Sequence, residues 1–292
     1  MCQFKSFIAL KDRVYFDLKE ESHSQLLEKL GIKDDYLNAT KSFVRCEIIP
    51  KDGDLFNHSM DNWKLNVDQD IVPDWFDKDE VEGNFKDRYL PEVFEKCFAI
   101  DEQSCKEYRD TKVYVKNSKI RVFNSSVVAC ENSSVVARGN SSVEACGNSS
   151  VVARDNSSVV ARENSSVEAY GNSSVEAYGN SSVVACENSS VVARGNSSVV
   201  ARGNSSVVAR ENSSVEAFGN SSVEAFGNSS VVARDNSSVL IPYSTGINIK
   251  GVHDFATIKD LSGKPKIIIA SDFDMEKFTK KLWKNLKTGL MK

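Results

Sequence analysis

Four aspartates, Asp68, Asp70, Asp74 and Asp77, stand in the run Trp63-Lys-Leu-Asn-Val-Asp-Gln-Asp-Ile-Val-Pro-Asp-Trp-Phe-Asp77. An Asp-x-Asp pair in extended chain puts both carboxylates on one face, where they could hold a divalent cation for metal-dependent hydrolysis. The plainer chemistry is electrostatic: a solvated acidic surface that receives a basic partner. The chain has only three histidines, His23, His58 and His253, and none falls within the acidic run. Trp63, Trp75 and Phe76 read as core rather than as a stacking platform. The residues therefore favour partner binding over catalysis, with no metal and no cofactor implied.

Thiol chemistry is not indicated either. The seven cysteines (Cys2, Cys46, Cys97, Cys105, Cys130, Cys146 and Cys186) are odd in number and include no Cys-x-x-Cys, so they suggest neither a disulfide framework nor a zinc site. The start, Met-Cys-Gln-Phe-Lys, is not a signal peptide, and no apolar run reaches membrane-spanning length. A cytoplasmic location is the expectation, and the Asn-Ser-Ser sequons that fill the chain then carry no glycan. The net charge of −4 hides an asymmetry. Residues 1–110 carry 16 basic and 25 acidic side chains, a balance of −9, whereas residues 241–292 carry 10 and 5, a balance of +5. An acidic head on a basic tail suggests contact between them or two different partners, and direct nucleic-acid binding is not expected.

The element that must position everything else lies between them. From Asn124 to Leu240 the octapeptide Asn-Ser-Ser-Val-(Val/Glu)-Ala-X-(Gly/Glu/Asp) recurs fifteen times in unbroken register. So strict a period marks a repeat architecture. Within a unit, alternation of period two predicts a strand. Ser133, Val135 and Ala137 fall on one side, which never varies in kind; the other side carries Val or Glu, then Arg, Cys, Tyr or Phe. Variable and charged residues belong outside, so the Ser/Val/Ala side is the core. Position eight and the following asparagine make the turn, because Gly and Asn tolerate positive φ. Stacked asparagines could bond to one another along the axis.

A coil could take two units (16 residues, flattened) or three (24 residues, triangular). A wide prism needs Leu, Ile or Phe at its centre, and the inward rows offer none; two sheets pressed close need small inward groups. At a spacing of 16 no position-five glutamate stacks on another, whereas at 24 Glu144 would sit on Glu168. The shorter spacing also sets Tyr178 between Arg162 and Arg194, and Phe218 between Arg202 and Arg234, where cation–π contact is possible. The expectation is a flattened, two-sided parallel β-solenoid, with about seven coils in the repeats at roughly 4.8 Å each.

In coil length and small, serine-rich inward rows this pattern resembles the flattened solenoids of bacterial ice-nucleation proteins. The resemblance implies shape only. Ice binding there goes with Thr-x-Thr rows, and the outer rows here are Ser, Val/Glu and Arg/Cys/aromatic. Those outer residues could form a binding face. They are also linked by single-base codon changes, as expected of an expanded array drifting at permissive positions.

The flanks complete a mainly β chain in three parts. Residues 1–107 read as a small acidic α+β head: strands Gln3–Leu10 and Arg13–Leu18, a helix Glu21–Leu30, strands Lys41–Ile49 and from Trp63, and a helix Asp79–Phe98 interrupted at Pro91. Residues 108–246 are the solenoid with its N-terminal cap, including strands at Lys112–Val115 and Lys119–Phe123. Residues 247–292 are a C-terminal cap with irregular strands at Ile247–Ile249, Ala256–Ile258 and Lys266–Ala270. A basic amphipathic helix from Ser271 follows, its stripe Phe278, Leu282, Leu286 and Leu290 expected to cover the final coil. The segment Trp63–Phe76, after the start Gln3-Phe-Lys-Ser, is similar to the N-terminal region of uncharacterised proteins from bacteria and their phages, some with Asn-Ser-Ser arrays. That resemblance implies a phage or prophage setting and supplies no activity.

Taken together, the sequence points to a non-enzymatic binding or scaffold protein: a rigid rod presenting an acidic, partner-binding head. The rival readings are a nucleic-acid mimic, with acidic rows imitating phosphates, and a metal-dependent hydrolase on the head. Self-association through the solenoid ends is a further expectation, since exposed ends can pair.

Overall fold

The computed structural model describes residues 5–243 and 246–270. The head is a four-stranded antiparallel sheet built from β1 (Lys5–Ala9), β2 (Val14–Tyr15), β3 (Val44–Pro50) and β4 (Trp63–Val67), in the order β2-β1-β3-β4. Helix α1 (His23–Lys29) packs Leu26 and Leu27 against Ile8 and Phe43 on one face. On the other face lie α3 (Lys78–Arg88) and α4 (Leu90–Cys97), which bring Phe85, Leu90 and Val93 onto Phe7, Val44, Cys46, Ile48, Trp63 and Leu65. Because both faces are covered, all five residues of β1 are buried. A one-turn helix, α2 (Tyr36–Ala39), follows α1 and was not legible in the sequence pattern. The expected helix over 79–98 is two helices. It breaks at Tyr89, because Pro91 has no N–H for an i→i−4 bond and sits instead in the first turn of α4.

Helix α4 runs directly into β5 (Phe98–Ile100), the first strand of the solenoid. Strands β6 (Lys106–Arg109), β7 (Lys112–Lys116) and β8 (Lys119–Phe123) wind the first coils, and β9–β23 are the fifteen repeat strands, from Ser126–Cys130 to Ser238–Ile241. Strands β24 (Asn248–Val252), β25 (Thr257–Asp260) and β26 (Lys266–Ile269) finish the stack. Alternate strands form two sheets: β6, β8 and the even strands to β24, and β5, β7 and the odd strands to β25, closed by β26. Among the repeat strands pairing is parallel, with each residue opposite the one 16 positions away, as Ser134↔Ser150 and Val135↔Val151. The flattened two-sided coil is thus the observed fold. It runs for about ten turns, three beyond the repeats, and so reaches roughly 48 Å at about 4.8 Å per coil.

The inward rows are those the alternation predicts, with Ser133, Val135 and Ala137 at 1%, 1% and 0% exposure. A buried hydroxyl needs a partner, and the geometry of the turn supplies it for most of the inward serines, Ser205 and Ser221 being left without one. Ser157 Oγ donates to the Arg154 carbonyl at 2.7 Å, and Ser173 and Ser181 repeat the bond to Tyr170 and Tyr178 at 2.6 Å. Serine is therefore a core residue here because its turn carbonyl lies within reach. The asparagine ladder is present too, for example Asn172 Nδ2 to Asn156 Oδ1 at 3.4 Å and Asn236 Nδ2 to Asn220 Oδ1 at 2.9 Å.

Head and rod are joined by packed and charged contacts. Phe56 meets Phe98 edge-on at 6.1 Å, Lys112 Nζ donates to Glu21 at 2.5 Å, and Lys19 pairs with Asp110 at 3.0 Å. At the far end β26 turns back antiparallel on β25 and leaves Ile267 and Ile269 exposed. The expected terminal helix, with Phe278, Leu282, Leu286 and Leu290, lies outside the described residues. Among the described residues no helix is long and apolar enough to cross a membrane.

Candidate binding cleft and solenoid faces

The acidic run does not stay together. Asp68 and Asp70, just beyond the end of β4, line a cleft of about 610 Å³, whose opposite wall is Asp34, Asp35, Tyr36 and Ala39 around the start of α2. Asp77 accepts from the backbone N–H groups of Asp79 and Glu80 and is the N-cap of α3. Asp74 lies in the turn between β4 and α3, apart from the cleft lining. Asp34 and Asp35 replace them, two carboxylates that the sequence pattern did not flag because the chain brings them in from a separate loop. Asp35 also caps α2, accepting from the Asn38 N–H at 3.0 Å, and that bond holds its carboxyl below the usual range. Arg45 on β3 reaches into the cleft and pairs with Asp34.

The cleft rim is not purely polar. Tyr36 and Ile71 line it at 73% and 47% exposure, and their chain neighbours Leu37 and Val72 are also exposed. Exposed apolar side chains thus stand beside the carboxylates of the cleft. Gln69 fixes the floor: its side-chain oxygen accepts from Arg45 N at 2.9 Å and its amide donates to the Ile71 carbonyl at 2.7 Å.

The acidic run does have a histidine beside it, from another element. His23 at the start of α1 is 6% exposed; its Nδ1 lies 3.1 Å from Asp68 Oδ2 and its Nε2 2.9 Å from the Cys46 carbonyl. Trp63 is fully buried and donates Nε1–H to the Asn57 carbonyl, while Trp75 donates to Lys41 O. Trp75 and Phe76 pack on the main head core.

On the rod, the outer rings sit in arginine columns. Tyr178 lies 5.7 Å from both Arg162 and Arg194; Phe218 lies 6.0 Å from Arg202 and 5.7 Å from Arg234. The outer glutamates serve these columns: Glu144 bonds Arg162 of the next coil at 3.0 Å, and Tyr178 donates to Glu176 at 2.6 Å. Glu216 does the same for Arg234 at 2.9 Å. The turn acids have a role as well. Gly139 and Gly219 each donate their N–H to an aspartate of the following coil, Asp155 and Asp235, both at 2.9 Å.

The buried and half-buried thiols are poorly suited to nucleophilic work. Burial pushes Cys46 up to about 12 and raises Cys97, Cys130, Cys146 and Cys186 as well. Comparison with family models, with curated proteins and with solved structures returns no match for this chain.

Proposed function

We propose that the chain is a non-enzymatic binding scaffold in which the head docks a protein segment bearing basic and apolar side chains. The solenoid serves as a rigid spacer. The observation that carries this reading is the cleft itself: carboxylates of Asp34, Asp35, Asp68 and Asp70 with Tyr36 and Ile71 exposed beside them. Basic side chains would meet the carboxylates and apolar ones the rings, the two halves of a specific interface. The rod supports the spacer role through its closed hydrogen-bonding and one continuous Val/Ala core. Its outer glutamates alternate with valine and are engaged by arginine and tyrosine, which favours a scaffold over a phosphate mimic. A phage or prophage setting is part of the same proposal and rests on the head's sequence resemblance.

The test is affinity capture from a bacterial host, with intact protein and an Asp70→Lys/Tyr36→Ser variant side by side. Both positions are exposed, so the fold should survive. A partner retained by the parent and lost by the variant supports the cleft. Equal capture by both removes it.

A further inference from the structure

We propose that His23, Glu47 and Asp68 bind one divalent transition-metal ion of the zinc type, in the wall of the head beside the cleft. A ligand atom from each residue lies within 4.8 Å of the other two. The residues come from three elements: His23 from α1, Glu47 from β3 and Asp68 from the end of β4. The backbone N–H of Asp68 donates to the Arg45 carbonyl at 2.9 Å, which holds that end in place.

The histidine is oriented as a ligand. Its Nε2 faces the Cys46 carbonyl at 2.9 Å, an oxygen that can only accept, so Nε2 carries the proton. That leaves Nδ1 facing Asp68 Oδ2 at 3.1 Å, and unless Nδ1 also carries a proton two acceptors meet there. A cation between them resolves that conflict. A metal-bound histidine that gives its other N–H to a backbone carbonyl is a recurrent arrangement.

An independent observation comes from β1. Glu47 is 6% exposed, and among the described residues its carboxylate receives only a 3.4 Å contact from Asn66 Nδ2. Arg45, on the same face of β3, is engaged by Asp34. Directly across the strand pair from Glu47 is Ser6, whose Oγ is buried and has no hydrogen-bond partner. A buried carboxylate next to an unpaired hydroxyl is costly unless a positive group completes the site. Asp68, with its side chain 58% exposed, leaves a way in. Imidazole among the donors selects zinc and its neighbours over magnesium or calcium, which prefer all-oxygen shells.

The test is calorimetric titration of zinc into the metal-stripped full chain, beside Asp68→Asn and Glu47→Gln variants. The expected result is one zinc per chain, with affinity about tenfold or more weaker in each variant. Asp68→Asn changes an exposed side chain, so it stays informative if Glu47→Gln fails to fold. Cobalt loaded in place of zinc should give a visible absorption band that Asp68→Asn shifts or removes. No one-to-one binding would overturn the proposal and leave His23 and Asp68 as a pair of side chains in direct contact. Binding unchanged in Asp68→Asn would overturn it as well, and would place the metal on thiols. No partner is needed for this titration, so its outcome is independent of the docking experiment.

Discussion

The N–H of Gly171 donates to the Glu187 carboxylate of the next coil at 2.8 Å, across the turn column. The relationship explains the alternation of acid and glycine at position eight. Within the repeats no acid stacks on another in either column: Glu131, Glu163 and Glu211 on one edge, and Asp155, Glu187 and Asp235 on the other, are always separated by glycine. A Cβ built on Gly171 would meet the Asp155 carbonyl oxygen at 2.9 Å, with φ at +68°. Glycine is the residue that takes this turn without strain, and in these columns it is what separates the acids.

Gly171→Ala should consequently destabilise the rod by about 1–3 kcal/mol, from positive φ and the backbone contact together. Glu187→Gly, which removes one exposed hydrogen bond, should cost less than about 1 kcal/mol. Thermal or denaturant melts of the two variants check the pair, and equal costs would refute the account.

Ala177 and Tyr178 are neighbours in sequence and opposites in environment. Ala177 is fully buried between two sheets; Tyr178 lies outside between arginines. Ala177→Phe should overpack the core and cost about 1–3 kcal/mol or more, while Tyr178→Phe, which keeps the ring between its arginines, should be nearly silent. A parent-like melt of Ala177→Phe would contradict the narrow core.

His58 gives the head a pH dependence. Its ring stacks on Phe94 at 3.9 Å, and burial lowers its pKa from 6.5, with Asp54 opposing. As the pH falls below 6.5 the unfolded chain takes up the proton first, so folding stability should drop until the folded-state value is passed. Above 6.5 the contribution is flat. Urea melts of the parent and of His58→Phe between pH 5 and 8 check this. The variant should lose that part of the slope, and an unchanged slope would exclude His58 as its source.

Assembly is the remaining test. Antiparallel β26 closes one sheet but exposes Ile267 and Ile269 at the end of the stack. A strand edge with apolar side chains becomes a template for pairing once nothing covers it. Deleting residues 271–292 should leave the head folded and make the protein polymerise end to end, as read by light scattering. A truncated chain that keeps the parent's size at high concentration would remove the capping role assigned to Phe278, Leu282, Leu286 and Leu290.

Much of this molecule could be read directly from the chain. An eight-residue period with small residues in every inward row leaves no sheet separation open except a narrow one, so the coil length, the inward Ser/Val/Ala rows and the Arg–Tyr–Arg stacking all follow from local spacing. Most strands in the flanks were legible within a few residues from their alternation, but β5 and β6 were not, Phe98 having been read as the end of a helix. The head's site was not. His23, Glu47 and Asp68 come from a helix and two strand regions whose relative placement depends on packing Leu26 and Leu27 over Ile8, and no periodicity encodes that. Likewise Asp34 and Asp35 join Asp68 and Asp70 only because β3 and β4 pair, while Asp77 leaves the group because a helix begins after it. Local repetition determined the rod; long-range pairing of unlike elements decided where its charges meet.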